Sequence, residues 1–258
     1  MTEQEIQREV LRLSPFHHKI DLPYNLSTHV PEVSRRKIES TRVANLVMHA
    51  FPALVTACGG NLDGMRVLDA ACNCGGFTVE ATKLGCDFVL GIDVVSRYIE
   101  QAKFVQRALS IQNADFRIMD IERVDEDSVG SFDVTFCFGI LYHLENPVLA
   151  MKRLSSVTKK VLIVDTRLFQ FPNVLKPYLN KPMWKMNIPV TSEEDSLDSS
   201  TSQWRRKEKH PQFLPNESAV LELLDYLGFA KIEKIIPDQK GMEKRYYKGR
   251  RATFVAIR

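Results

Sequence analysis

Apolar residues recur along this chain in two spacings, and the switch between them marks out its elements. The first spacing is helical. Ile6, Val10 and Leu13 share one face, and Thr2 with Glu5 three places on makes a capping box, which predicts a helix over 3–13. Pro15, Pro23 and Pro31 interrupt the next stretch. A second stripe, Ile38, Val43, Leu46, Val47 and Ala50, predicts a helix over about 32–51. From Met65 short apolar runs alternate with helical ones. The runs predict strands at 66–70, 88–92, 116–119, 134–138 and 161–164. Between them lie helices at 76–84, at 147–155, and after Ser96, which is expected to cap a helix carrying Ile99, Ala102, Val105 and Leu109.

Residues 166–216 break this rhythm with Pro172, Pro177, Pro182 and Pro189, a polar run over 191–202 and the basic Arg205-Arg206-Lys207. A loop of that length inside a compact domain is usually a lid, a binding loop or a partly disordered insert. The pattern resumes with a helix at 218–227, capped by Asn216 or Ser218 and followed by Gly228, then a hairpin-like pair of strands at 230–236 and 252–257. Alternating strands and helices with right-handed crossovers give an α/β fold, doubly wound. Its mostly parallel seven-stranded sheet has helices on both faces and an antiparallel last strand. The domain reading is a helical extension over 1–55, a core over 56–165 and 217–258, and the 166–216 insert as a candidate substrate lid.

Composition narrows the class without naming it. The 258 residues are 44% hydrophobic and 26% charged, which is ordinary globular usage. Lys and Arg number 35 against 32 acids, a formal charge of +3, so any nucleic-acid binding would have to come from local clusters. No apolar stretch is long enough to span a bilayer, and the first residues lack a secretory pattern, so a cytoplasmic protein is expected. Five cysteines, an odd number with three beside predicted strands, favour buried thiols over a disulfide framework. Cys72-Asn73-Cys74 lacks the paired ligands of a structural zinc site, so no metal is expected.

Chemistry in such a sheet sits at the carboxyl ends of the strands, near the point where strand order reverses. The first four tips read Val67-Leu-Asp69-Ala-Ala71-Cys72-Asn73-Cys74-Gly75-Gly76, then Gly91-Ile-Asp93, then Met119-Asp120-Ile121, then Phe138-Gly139-Ile-Leu-Tyr142-His143. A nicotinamide dinucleotide site wants Gly-x-Gly-x-x-Gly for its pyrophosphate, and this loop has no such triplet. A methyl-donor site has no phosphate to cradle and suits acids at successive tips.

Residues 67–75 resemble the first motif of the class I S-adenosylmethionine-dependent methyltransferases, with Ala71 and Asn73 where glycines are usual. The resemblance implies S-adenosyl-L-methionine as cofactor. Asp69 and the loop of Ala71, Cys72, Asn73 and Gly75 would hold its methionine part, Asp93 the ribose hydroxyls, and Asp120 the adenine amino group with Ile121 beside the ring. Phe138 and Gly139 would line the reactive end. A narrower resemblance joins residues 139–147, 213–216 and 250–256 to the branch of the tRNA wobble-uridine carboxymethyltransferases, which share these features with many small-molecule methyltransferases. The stretch from His17 to Thr28 resembles that branch's N-terminal gate. In the carboxymethyl enzymes a Lys, a Tyr and an Arg hold the donor's extra carboxylate. Tyr142 and Arg251 match two of them, while His17 stands where the Lys is expected, which favours ordinary S-adenosylmethionine.

Three functions therefore compete. The leading one is methyl transfer to an oxygen or nitrogen of a small-molecule acceptor, with His143 and Tyr142 as candidate catalytic residues and His17 and His18 as weaker ones. A structural hydrogen bond is the rival role for His143. Tyr142, Trp204, Arg205 and Arg251 are the candidate acceptor-site residues. The second is tRNA modification, supported by two basic clusters, Arg205 to Lys209 and Lys240 to Arg251. The third is a donor-binding pseudoenzyme, suggested by the altered 71–73 loop alone.

Overall fold

The computed structural model describes residues 1–30, 40–170, 181–187, 211–236 and 244–258. Its centre is a seven-stranded sheet in the order β10-β11-β7-β6-β3-β4-β5. The strands are β3 (Arg66–Ala70), β4 (Phe88–Asp93), β5 (Ala114–Ile118), β6 (Phe132–Phe138), β7 (Thr158–Arg167), β10 (Lys231–Ile235) and β11 (Arg251–Ile257). All neighbours pair in parallel except at β11, which runs antiparallel to both β7 and β10. The chain leaves β3 through β4 to β5, then returns to the other side of β3 as β6. The strand order thus reverses between β3 and β6, and a crevice opens above their carboxyl ends.

Alternation along the strands sorts their side chains to two faces. Leu68, Leu90, Ile92, Leu162, Val164 and Phe254 share a cluster with Ala150, Met151 and Leu154 of α6 (Pro147–Val157) and with Val220 and Leu224 of α7 (Glu217–Tyr226). Val67, Val89, Val134, Phe136, Val161, Ile163 and Val255 face the opposite way. They pack on α2 (Ser40–Ala57), through Leu46, Ala50 and Leu54, and on α3 (Gly76–Thr82), through Phe77 and Ala81. A third cluster joins α1 (Glu3–Leu13) to α4 (Ser96–Ala108), with Phe16, Ile20 and Leu22 of the following segment.

Several elements depart from their sequence reading for identifiable reasons. The second helix does not stop at Phe51. It runs through Pro52 to Ala57, because Leu54 on the far side of the proline is fully buried in the core. Ser96 does not cap α4. Val95 holds the N-cap position without a side-chain bond, and the Val95 amide donates to Asp93 Oδ1 at 2.9 Å. β7 extends at both ends beyond 161–164, since pairing with both β6 and β11 reaches residues whose alternation is broken by Lys159, Lys160 and Arg167. The Pro-punctuated stretch holds a small hairpin, β1 (Asp21–Leu22) with β2 (Leu26–Ser27), turning through Tyr24 and Asn25 at positive φ. Within the insert, β8 (Trp184–Asn187) pairs antiparallel with β9 (Gln212–Pro215). Asn216 caps α7 by accepting from the Ala219 amide, and Gly228 follows at φ 83°.

Among the described residues no helix is long and apolar enough to cross a membrane. All five cysteines are free thiols. Burial pushes Cys58, Cys74 and Cys86 up to about 11 and Cys137 up to about 12, which keeps them protonated and unreactive.

Candidate active site

A cavity of about 560 Å³ lies at the reversal point. That volume is within the range of small-molecule sites. The turn after β3 forms one wall. Its backbone needs three left-handed residues, and Ala71, Asn73 and Gly75 supply them at φ 59°, 53° and 84°. Asn73 closes the turn through its own side chain, whose Oδ1 accepts from the Cys74 amide at 2.7 Å. Gly75 is the N-cap of α3 and presses on the Phe116 ring, which lies 3.1 Å from where a Cβ would stand.

Asp93 ends β4 and is 8% exposed. Its Oδ2 accepts from the Asn73 amide at 3.0 Å and its Oδ1 from the Val95 amide. One carboxylate therefore ties the first strand tip to the second. Burial outweighs these bonds and raises its pKa to about 6. Asp69 lies deeper, 1% exposed, accepting from the Thr78 hydroxyl at 2.7 Å, and burial raises it to about 7. At the third tip Asp120 is exposed on the cavity rim and caps a one-turn 3-10 helix (Ile121–Arg123) by accepting from the Glu122 amide. Val94, Met119 and Ile121 add apolar wall beside it.

The other half of the cavity is built on β6 and β7. Phe138 is stacked on Phe136 and edge-on to Phe77, and Gly139 follows at φ 73° with its amide donating to the Asp165 carbonyl at 2.7 Å. Leu141–His143 then makes one 3-10 turn that brings Tyr142 and His143 to the cavity, ring centroids 4.2 Å apart. Tyr142 is 6% exposed and His143 is half-buried. Arg167, Arg245 and Glu145 complete this end.

The segment after α1 closes the top. Arg97 and Gln101 of α4 donate to the carbonyls of Leu13, Ser14 and Pro15, and Thr28 bonds back to His18 and Ile20. His17 and His18 line the cavity. The His18 ring packs edge-on against Phe77, and its Nδ1 lies 2.5 Å from where a Cβ on Gly76 would be, so only glycine admits the ring there.

Of the residues singled out from the sequence, Ala71, Asn73, Asp93, Asp120, Ile121, Phe138, Gly139, Tyr142 and His143 line this one cavity. Asp69, Cys72 and Gly75 stand behind its wall, shaping the turn. Arg251 is 2% exposed and bonded to Asp165, one layer below Tyr142. Trp204 and Arg205 lie outside the described residues, as do Arg206, Lys207, Lys209 and Lys240. Sequence reasoning passed over Tyr98 and Arg167, and it noted Phe77 as helix packing, Met119 in the third tip and Arg245 in a basic cluster without assigning them to the cavity. The signal for Arg167 was there, since it stands two places after an acid in a strand that ends at the crevice.

Comparison with known proteins agrees with this architecture. The family described as a methyltransferase domain matches residues 61–203. A tRNA U34 carboxymethyltransferase of Idiomarina loihiensis is 26% identical over 180 residues, 68% of this chain and 48% of that protein. A ubiquinone biosynthesis O-methyltransferase of Acinetobacter baumannii is 27% identical over 100 residues, 39% of this chain and 42% of that protein. The chain thus matches about half or less of the length of these curated relatives. Among solved structures, the N-terminal domain of EvdMO1, crystallised in the presence of SAH and D-fucose, superposes with a TM-score of 0.69 at 19% identity, covering 100% of this chain and 96% of that one. That likeness shows the fold. The chain belongs to the methyltransferase domain family, within the class I S-adenosylmethionine-dependent methyltransferases, enzymes whose cofactor is S-adenosyl-L-methionine.

Proposed function

We propose that this chain transfers a methyl group from S-adenosylmethionine to an oxygen or nitrogen of a small-molecule acceptor. The observation that carries this reading is the single cavity that spans from Asp93 and Asp120 to Tyr142 and His143 beneath His17 and His18. The donor half suits the cofactor. The buried Asp93 carboxylate would meet ribose hydroxyls, Asp120 an adenine amino group, and Val94, Met119 and Ile121 the faces of the ring, while the turn at 71–75 would take the methionine part. When bound, the cofactor supplies an electrophilic methyl group on a sulfonium.

The chain's own part is positioning. Phe138 and Gly139 would line the reactive end, the gate residues would exclude water, and Tyr142 and His143 would position the acceptor. A neutral hydroxyl or protonated amine must also lose a proton, and His143, half-buried at the cavity wall, is the base we assign. On that assignment His143→Gln lowers turnover by about 10²–10⁴-fold and leaves S-adenosylhomocysteine affinity nearly unchanged. Turnover within a few-fold of wild type, or a loss of thermal stability in step with activity, returns His143 to a structural role.

A second reading, tRNA modification, has its own support. Lys244, Arg245, Lys248 and Arg250 are all exposed around α8 (Lys244–Tyr247) and the start of β11, and one curated relative is a tRNA enzyme. Affinity for a tRNA pool that falls steeply with salt would favour it. Salt-insensitive or absent binding would leave the small-molecule reading alone.

A further inference from the structure

Two arginines at the end of the cavity away from the donor loop stand in different electrical states. Arg167 ends β7 and Arg251 opens β11, and the antiparallel register sets them directly opposite each other. Opposite residues in such a pair project to the same face, where like charges repel. Asp165, two places before Arg167 on that face, accepts from the Arg251 guanidinium, from the Tyr246 hydroxyl at 2.8 Å and from the Thr253 hydroxyl at 2.9 Å. That carboxylate is 0% exposed, so the single acid serves the buried arginine.

Of the two, Arg167 is the one that faces the cavity. It is exposed, and among the described residues it has no ion-pair partner. Its guanidinium carbon lies 5.3 Å from the Tyr142 ring centroid, and Arg251 lies 5.9 Å from the same centroid. Cation–π contact with Tyr142 orders a long side chain without engaging an acid. Arg245 from α8 lines the same end. Of the cavity's carboxylates, Asp93 and Asp120 lie at the strand tips, and Glu145 shares the Arg167 end without an ion pair to it.

We propose that Arg167 anchors a carboxylate on the methyl acceptor, so that the acceptor is a small acid. The inference rests on the methyl-transfer reading above and names its substrate class. A guanidinium fork matches a carboxylate with two parallel hydrogen bonds. An acid held at Arg167 sets its own oxygen or nitrogen nucleophile beside Tyr142 and His143. Arg167 is thus a specificity residue and moves no proton.

The test is calorimetry on the full chain. S-adenosylhomocysteine affinity is measured first, and its complex is then titrated with para-hydroxybenzoate against para-hydroxybenzamide, and with glucuronate against glucuronamide. The wild-type complex should bind at least one acid about tenfold or more tighter than its amide. Arg167→Gln should bring that ratio to within about twofold, and Arg167→Lys, which keeps the charge without the fork, should retain part of it. S-adenosylhomocysteine should bind all three proteins alike. Three results would overturn the proposal: equal or undetectable binding of acid and amide in both pairs, a preference that survives in Arg167→Gln, or weaker S-adenosylhomocysteine binding by that variant. Failure of the methyl-transfer reading looks different, because wild type would then bind no S-adenosylhomocysteine whatever the acids do.

Discussion

Ala71 and Asn73 hold the left-handed backbone that glycines usually hold in this turn, and they do so without losing it. Asn73 compensates through its bond to the Cys74 amide, whereas Ala71 carries a cost of about 1 kcal/mol with no side-chain return. The loop instead leans on Asp93, whose carboxylate accepts the Asn73 amide. On the proposed donor site Asp93 is both a structural and a donor-binding group, and its protonation a variable. Burial raises Asp93 to about 6 and Asp69 to about 7, above the ordinary aspartate range. The folded chain then holds more protons than the unfolded one between about pH 4 and pH 7, so the stability of the ligand-free protein falls as pH rises through that window. Donor binding should run the other way if Asp93 is the ribose partner, because ribose hydroxyls would donate to the ionised carboxylate. S-adenosylhomocysteine affinity should rise about tenfold from pH 5 to pH 7.5, and Asp93→Asn should weaken binding by roughly tenfold or more and flatten the pH dependence. Calorimetry on a variant whose circular dichroism matches wild type checks both. An affinity that is flat with pH in wild type removes Asp93 from the ribose site.

At the scale of elements, the join between β7 and β11 is the polar exception in an apolar sheet. Asp165, Arg251, Tyr246 and Thr253 form one buried network that fastens α8 and the last strand beneath Tyr142. Removing one charge of a buried pair strands the other. Asp165→Asn should therefore lower unfolding free energy by about 3–5 kcal/mol, read as a fall in the urea midpoint, and Arg251→Met combined with Asp165→Leu should recover much of it. A single variant as stable as wild type would mean that water reaches Arg251.

For the whole molecule, the segment after α1, the proposed gate, and the 71–75 turn form one unit. The His18 amide donates to Cys74 Sγ at 3.3 Å, and the His18 ring rests on Gly76. Binding at either side should steady both, since a closed gate excludes water and holds the acceptor. Hydrogen exchange should show that S-adenosylhomocysteine protects residues 71–75 together with 16–30. Protection confined to 71–75 would make the gate a passive cover. Of the segment 190–212, expected from its composition to act as a lid with Trp204 and Arg205 near the acceptor pocket, residues 190–210 lie outside the described residues. Deleting 192–202 should lower turnover far more than donor affinity if it closes over the acceptor.

The sequence by itself determined the sheet, because strand and helix periods are local properties repeated along the chain. It gave α1 with its Thr2–Glu5 capping box, the succession of strands and helices along the chain and the three acids at the strand ends. Those acids were legible for the same reason, since each lies at or just past the carboxyl end of its own strand. Only the tertiary structure decided which of two arginines faces the cavity. Arg167 and Arg251 are 84 positions apart, and neither differs chemically from the other until β7 and β11 pair and Asp165 takes one of them. The same holds for His18, whose place against Phe77 and Gly76 depends on a packing contact with α3. Acceptor sites are assembled from such long-range pairings, and local periodicity carries no record of them.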